Sequence, residues 1–331
     1  MLTLNEILIQ MKENSASDLH LTVGSPIRNR INGELKPIND EKLSEKNIED
    51  LLKEYLNKKR LELLNIGESV DFSIGIPGIS RYRVNLFKQR GNIVATFRRL
   101  PYTVPSIDSL GLPQIVHNFT KYKKGLILIT GGTGSGKSTT LASLVQKISN
   151  EYNNHIITIE DPIEYLYNHS KSLVNQREVG SDTKNFFDAL KGTLRQDPDV
   201  VVIGEMRDVE SMHAALTIAE TGHLVLATLH TNNASGTITR LVDAFPPDKQ
   251  NIIRTTLSMT LVGIVSQQLI PNKNNTLSLA AEILINNQSI KALIRENNIH
   301  QIDNYILSGI KDGMIRMDDY ILTLYNDNFI T

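Results

Sequence analysis

Apolar positions change their period several times along this chain, and each change predicts a different element. Residues 42–64 repeat at helical spacing, with Leu51, Leu52, Tyr55 and Leu56 at core positions. Residues 81–89 (RYRVNLFKQ) and 92–100 (NIVATFRRL) alternate apolar and polar on either side of Gly91 and predict a hairpin. Residues 101–113, PYTVPSIDSLGLP, hold three prolines and a glycine, which sustain neither helix nor central strand. This segment is the expected linker between a domain of residues 1–100 and one of residues 114–331. Beyond it the apolar runs are continuous: LILIT (126–130), IITI (156–159), VVVI (200–203) and LVLATL (224–229). Runs of that kind suit strands covered on both faces, as in a parallel sheet. Helical patterns separate them; Leu141, Leu144, Val145 and Ile148 fall at i, i+3, i+4 and i+7. The alternation predicts an α/β core with a largely parallel sheet, behind a smaller α+β domain. No repeat of 20–50 residues is visible, which excludes a solenoid.

One segment at the end of a predicted strand carries chemistry. GGTGSGKS, residues 131–138, fits the phosphate-binding pattern GxxxxGK[ST], between strand 125–130 and an amphipathic helix. Its backbone N–H groups, from Gly131, Thr133, Gly134, Ser135 and Gly136 through Lys137, Ser138 and Thr139, would wrap phosphates at the positive end of a helix. Lys137 would pair with the β- and γ-phosphates of ATP, and the Ser138 hydroxyl would ligate Mg2+. Three further segments end strands in polar groups. IITIEDPIEYLY (156–167) holds Glu160, Asp161 and Glu164, with Pro162 turning the chain out at the sheet edge. DPDVVVIGEMRD (197–208) places Glu205 just past a strand, and GHLVLATLHTN (222–232) puts His223 and His230 at opposite ends of another. Seven residues apart, the two histidines have opposite parity on a strand, which disfavours a shared metal.

Composition narrows the possibilities. The 331 residues include no cysteine, so disulfide frameworks, thiol nucleophiles and Cys-ligated metal centres are excluded. Thirty-five basic and 36 acidic residues leave a formal net charge of -1, which argues against a nucleic-acid partner. The balance is uneven: the first hundred residues are net positive, the remainder net negative. The opening MLTLNEILIQMKEN lacks the apolar block of a signal peptide. The longest apolar stretches, near 259–265 and 277–285, are shorter than the roughly 18–20 residues that span a bilayer. The expectation is a cytoplasmic protein, with any membrane association peripheral and through partners.

Together, GGTGSGKST, TIEDPIEY, DPDVVVIGEMRD and TGHLVLATLHTN resemble the four motifs of the type II/type IV secretion ATPases. SASDLHLTVGSPIRNRINGEL (15–35), VNQREVG (174–180), RLVDAFP (240–246) and SQQLIP (266–271) match the same family. The resemblance implies a RecA-like ATPase domain preceded by a PAS-like domain. It also implies assembly into a homohexamer that acts on pili through an inner-membrane platform protein. Within the family the chain most resembles the pilus retraction branch. SIKALIREN (289–297) is similar to that branch's AIRNLIRE motif, keeping Ile290, Leu293, Ile294, Arg295 and Glu296 and departing at Lys291 and Ala292. The assembly and type II secretion ATPases share all four site motifs and are the alternative; a nucleic-acid-translocating motor is a remote one. Strand-end position and resemblance together make Glu164 the preferred general base, Glu205 the Mg2+ carboxylate and His230 the γ-phosphate sensor. The base and metal roles of Glu160, Glu164 and Glu205 remain partly exchangeable, since Gly204–Glu205 departs from an ordinary Walker B ending. The resemblance also implies that Arg81 and Arg83, two apart on one strand face, reach nucleotide from the N-terminal region, in trans. Arg98, Arg99 and Arg195 are weaker choices.

Overall fold

Thr3 caps the first helix reciprocally, its hydroxyl accepting from Glu6 N while the Glu6 carboxylate accepts from Thr3 N. That helix, α1 (Leu4–Glu13), is followed by β1 (Asp18–Leu21), β2 (Pro26–Ile31), β3 (Glu34–Lys42), α2 (Glu45–Leu52), α3 (Lys58–Asn65), β4 (Val70–Ile76), β5 (Ser80–Gln89) and β6 (Asn92–Leu100). The computed structural model describes residues 2–101, 103–274 and 276–331. Met1, Tyr102 and Asn275, which fall within the expected first domain, linker and second domain, lie outside the described residues. The strands form one antiparallel sheet in the order β3-β2-β1-β6-β5-β4. Its inner face holds Leu19, Leu21, Phe72, Tyr82, Val84, Leu86 and Phe97, packed against Ile7, Leu8, Met11, Ile48 and Leu52 of the helices. Tyr82 Oη donates to Leu8 O at 2.6 Å, pinning α1 to β5. The hairpin turns at Arg90 and Gly91, both at positive φ (51° and 84°), the geometry whose twist matches paired strands. The single helical stretch expected over 42–64 is two helices, because Asn57 caps a second one by accepting from Arg60 N. The edge strand β3 is exposed along almost all of its length, carries Pro37, and has a register shift against β2.

The second unit begins with a short 3-10 turn, Ile107–Leu110, and continues through α4 (Gln114–His117), β7 (Gly125–Gly131), α5 (Lys137–Glu151), β8 (His155–Glu160), β9 (Leu173–Glu178), α6 (Phe186–Thr193), β10 (Val200–Ile203), α7 (Val209–Glu220), β11 (Leu224–Leu229), α8 (Ala234–Asp243), α9 (Pro247–Thr260), β12 (Leu261–Pro271), β13 (Leu277–Ile285), α10 (Gln288–Arg295), α11 (Ile302–Ser308) and α12 (Met317–Asn326). Its sheet runs β13-β12-β7-β11-β10-β8-β9, parallel throughout except for β13. Successive residues of each central strand serve opposite layers. Leu126, Leu128, Val201, Ile203, Val225 and Ala227 face one core, and Ile127, Ile129, Val200, Val202, Leu224 and Leu226 face the other. That two-sided burial is why these strands are apolar without alternation. Leu141, Leu144, Val145 and Ile148 of α5 are buried in the second of these cores.

The chain divides into two compact units, Met1–Thr103 with Pro162–Leu166, and Val104–Asp161 with Tyr167–Thr331. From Val104 onward the proline-rich segment belongs to the second unit, with Ile107 and Leu112 buried in its core. Among the described residues no helix is long and apolar enough to cross a membrane.

Candidate functional site

Parallel register brings the polar strand ends together. Leu128, Ile159, Ile203, Ala227 and Ile264 lie in one row across β7, β8, β10, β11 and β12. A few residues beyond that row β7, β8, β10 and β11 leave the sheet, at Gly131, Asp161, Glu205 and His230. All four therefore emerge at the carboxyl edge, where open α/β sheets place their ligands.

The loop after β7 is held open by its own chain. Gly131 sits at φ 148°, and a Cβ there would lie 2.4 Å from both Gln267 O and Ser135 Oγ, so only glycine fits. Gly134 and Gly136 have free space around them but positive φ (77° and 86°), so conformation alone demands glycine. Lys137 opens α5 and is only 8% exposed. Its ammonium donates to Gly131 O at 2.9 Å and Gly132 O at 2.8 Å, which arches the loop around its side chain. Ser138 and Thr139 are half-buried in the first turn of α5, and Thr133 is exposed at the loop tip. The buried Ser135 Oγ has no hydrogen-bond partner among the described residues. An orphaned hydroxyl beside a helix N-terminus is a donor available to an anion.

A chain of polar contacts runs from this loop along the carboxyl edge. Lys137 Nζ approaches His230 Nδ1 at 3.5 Å, and His230 Nε2 lies 3.1 Å from Glu205 Oε1. One tautomer satisfies both contacts, with the proton on Nε2 and Nδ1 open toward the ammonium. Glu205 Oε2 accepts from Arg207 Nε at 2.9 Å, and Arg207 Nη1 reaches Asp161 Oδ2 at 3.4 Å. The Glu205 carboxylate beside Arg207 holds the guanidinium still more firmly protonated, and Asp161 adds to this. Arginine suits the position because its planar fork serves two carboxylates at once.

The other expected residues make contacts of their own. Glu160 turns toward β9, its Oε1 accepting from Thr158 Oγ1 at 2.6 Å and Gln176 Nε2 at 3.1 Å. Glu164, half-buried, lies in the segment 162–166 that groups with the first unit. Arg81 donates to Ser73 Oγ, and Arg83 Nε is 3.4 Å from Asp71 Oδ1, both on the outer face of the first sheet. On that face Arg98 Nε donates to Asp18 Oδ1 at 2.9 Å; Arg99, paired with Tyr82 on the opposite face, reaches Lys12 O of α1 at 3.3 Å. Arg195 is exposed beyond α6. His223 lies at the opposite edge of the second sheet from His230, its Nδ1 3.1 Å from Ile218 O. Two contributors escaped the sequence reading. Arg207, inside DPDVVVIGEMRD, gives no sign of its two carboxylate partners in the sequence. Gln267, 1% exposed, pairs across the sheet with Gly131 and donates from Nε2 to Thr140 Oγ1 at 2.9 Å, bracing loop and helix together. A polar Ser-Gln-Gln triplet in the middle of the apolar strand β12 was the available signal.

Similarity to known proteins agrees with this geometry. The family model described as Type II/IV secretion system protein matches residues 1–309. The chain is 42% identical over 315 residues to the type IV pilus retraction ATPase PilT of Pseudomonas aeruginosa, covering 95% of this chain and 92% of that one. It is 40% identical over 302 residues to the twitching motility protein of Neisseria gonorrhoeae, covering 91% and 81%. The crystal structure of the pilus retraction motor PilT with bound ADP superposes with a TM-score of 0.93 at 46% identity, covering all of this chain and 95% of the other. The ATPase DotB of Legionella pneumophila superposes at 0.88 with 27% identity. With the loop, the strand-end carboxylates and the histidine in place, the chain belongs to the type II/IV secretion system protein family.

Proposed function

We propose that this chain is an ATP-hydrolysing motor of pilus retraction, the activity named for its relatives PilT and the twitching motility protein. The observation that carries the reading is the continuous contact chain Lys137–His230–Glu205–Arg207–Asp161 at the carboxyl edge of a parallel sheet, beginning at a phosphate-binding loop. A triphosphate in that loop takes the N–H groups and the Lys137 ammonium, which exchanges the Gly131 and Gly132 carbonyls for phosphate oxygens. His230, already touching Lys137, is placed to register the terminal phosphate and to pass its presence to Glu205.

Mg2+ fits the donor set. No group of three or more acidic or histidine side chains stands ready for a metal among the described residues. A hard cation that keeps several waters needs only the Ser138 hydroxyl, the phosphates and a water-mediated carboxylate, here Glu205. Bound there, it supplies neutralisation of phosphate charge. Glu164 is the proposed general base for the attacking water. Arg81 and Arg83 are the proposed cations supplied by a neighbouring subunit of a homohexamer, worth about 10³–10⁵ in rate. The motor works at the inner face of the cytoplasmic membrane, through a pilus platform protein rather than by insertion.

Deleting the gene tests the direction of force. Cells that keep their pili but cannot retract them support the reading; bare cells would assign the chain to assembly instead. In purified protein, Lys137→Ala is expected to abolish ADP binding and turnover. Glu164→Gln is expected to keep binding and lose turnover by at least about 10²-fold, the scale of a general base.

A further inference from the structure

Glu282 is the lone charge within the apolar strand β13, LSLAAEILI, and is 8% exposed. A carboxylate buried that deeply must have partners. Its Oε1 accepts from Ala234 N at 2.7 Å, the first residue of α8. The Met317 N–H, at the first residue of α12, bears on the same carboxylate. Burial pushes its carboxyl above the ordinary range. The Ala234 and Met317 N–H groups work against that, and Asp303 and Asp318 add to it. α12 has no side-chain cap of its own, so Glu282 stands where one would be useful.

Each of these two helix starts is tied to something further. Ala234 lies four residues after His230. Between them Thr231 Oγ1 bonds Thr237 Oγ1 at 2.7 Å, and Thr237 Oγ1 donates to Asn233 O at 2.7 Å, so the turn after β11 is fastened to α8. The chain before α12 is fastened to β13 by paired bonds, Ile283 N to Ile315 O at 2.8 Å and Ile315 N to Ile283 O at 3.1 Å. Farther along α12, Tyr320 Oη donates to Gly111 O at 2.5 Å, within the proline-rich segment that opens the second unit. No residue of α12 is fully buried, and Leu322 and Tyr325 are exposed, so these polar ties carry much of its docking.

We propose that Glu282 is a positioning residue for hydrolysis: it joins α12 to the start of α8 and thereby sets the His230 turn against the phosphate loop. Through Tyr320, α12 extends the connection to the proline-rich segment, so the posture of that segment and the posture of His230 are linked. This rests on the motor reading, in that His230 addresses the terminal phosphate of ATP and not ADP.

Hydrogen exchange and kinetics on the full chain test it. Glu282→Gln keeps the shape but puts an amide N–H₂ in place of one carboxylate oxygen. Exchange is expected to quicken at least tenfold both in 231–236 and in 315–319. Turnover is expected to fall three- to tenfold while ADP affinity stays within twofold. Quickening confined to one segment or absent from both, or ADP affinity falling as far as turnover, would overturn the proposal. If Glu282→Gln fails to fold, Tyr320→Phe replaces it: quickening that reaches 231–236 supports the link, and quickening limited to α12 refutes it. Absence of turnover in the unmodified protein would sink the motor reading and leave the exchange result to decide the link alone.

Discussion

At the scale of single residues, Asp18 shows how a charge is used within the first unit. Burial works against its ionised form, but the Arg98 guanidinium at 2.9 Å and the Ser17 hydroxyl at 2.8 Å outweigh it and hold the carboxyl below its ordinary value. An acid depressed in the folded state contributes stability that is fully present above its unfolded pKa, about 4, and is lost as pH falls through the folded value. Asp18→Asn is therefore expected to flatten the acid limb of stability against pH, leaving a smaller difference from the parent below about pH 3 than at pH 7. Urea unfolding over that range measures it. The side chain of Arg98 is 68% exposed, so solvent screening keeps the effect modest. Residue positions were legible in the sequence where a motif fixes spacing, as at Lys137, which opens α5 and closes on the Gly131 and Gly132 carbonyls. They were illegible where the partner is distant along the chain. Nothing near Arg207 announces Asp161, 46 positions away, and nothing near Gln267 announces Thr140.

At the scale of elements, the phosphate-binding loop separates two uses of glycine. Gly131→Ala drives a Cβ into Gln267 O and Ser135 Oγ at a φ of 148°, and is expected to cost about 2–4 kcal/mol and to abolish ADP binding. Gly132→Ala, with ordinary φ and nothing within 4 Å of the added carbon, is expected to stay within about 0.5 kcal/mol of the parent in thermal unfolding. The central strands were legible because two-sided burial leaves continuous apolar runs; β7, β8, β10 and β11 fall on them. β9 was not, since LVNQRE at the sheet edge buries only Val174 and Glu178 and has little apolar pattern. The antiparallel return of β13 on β12 also left no local trace. Its register depends on pairing Ser266 with Glu282 and Gly263 with Ile285, a matter of long-range geometry. The helix 288–295 was legible at the level of its face: Ile290, Leu293 and Ile294 are buried, while Arg295 and Glu296 are exposed.

At the scale of the whole molecule, function is expected to depend on more than one copy. The outer face of the first sheet carries Arg28, Arg30, Arg81, Arg83 and Arg98 against Asp18 and Asp71, which accounts for the positive balance of the first hundred residues. If Arg83 serves a neighbour's nucleotide, assemblies mixed from Arg83→Ala and Lys137→Ala subunits will recover part of the turnover that each lacks alone. Recovery absent at every mixing ratio would confine Arg83 to its own subunit. Close association of many copies carries its own hazard, and β3 meets it. An open strand edge is a template for another chain's backbone. This one carries Lys36, Asp40, Glu41 and Lys42, lacks an amide donor at Pro37, and is kinked out of register with β2. In the proposed assembly, copies that approach this edge would meet through side chains, whose contacts can be released and remade. An edge blunted in this way resists pairing with another copy's sheet, which would turn a reversible assembly into a precipitate.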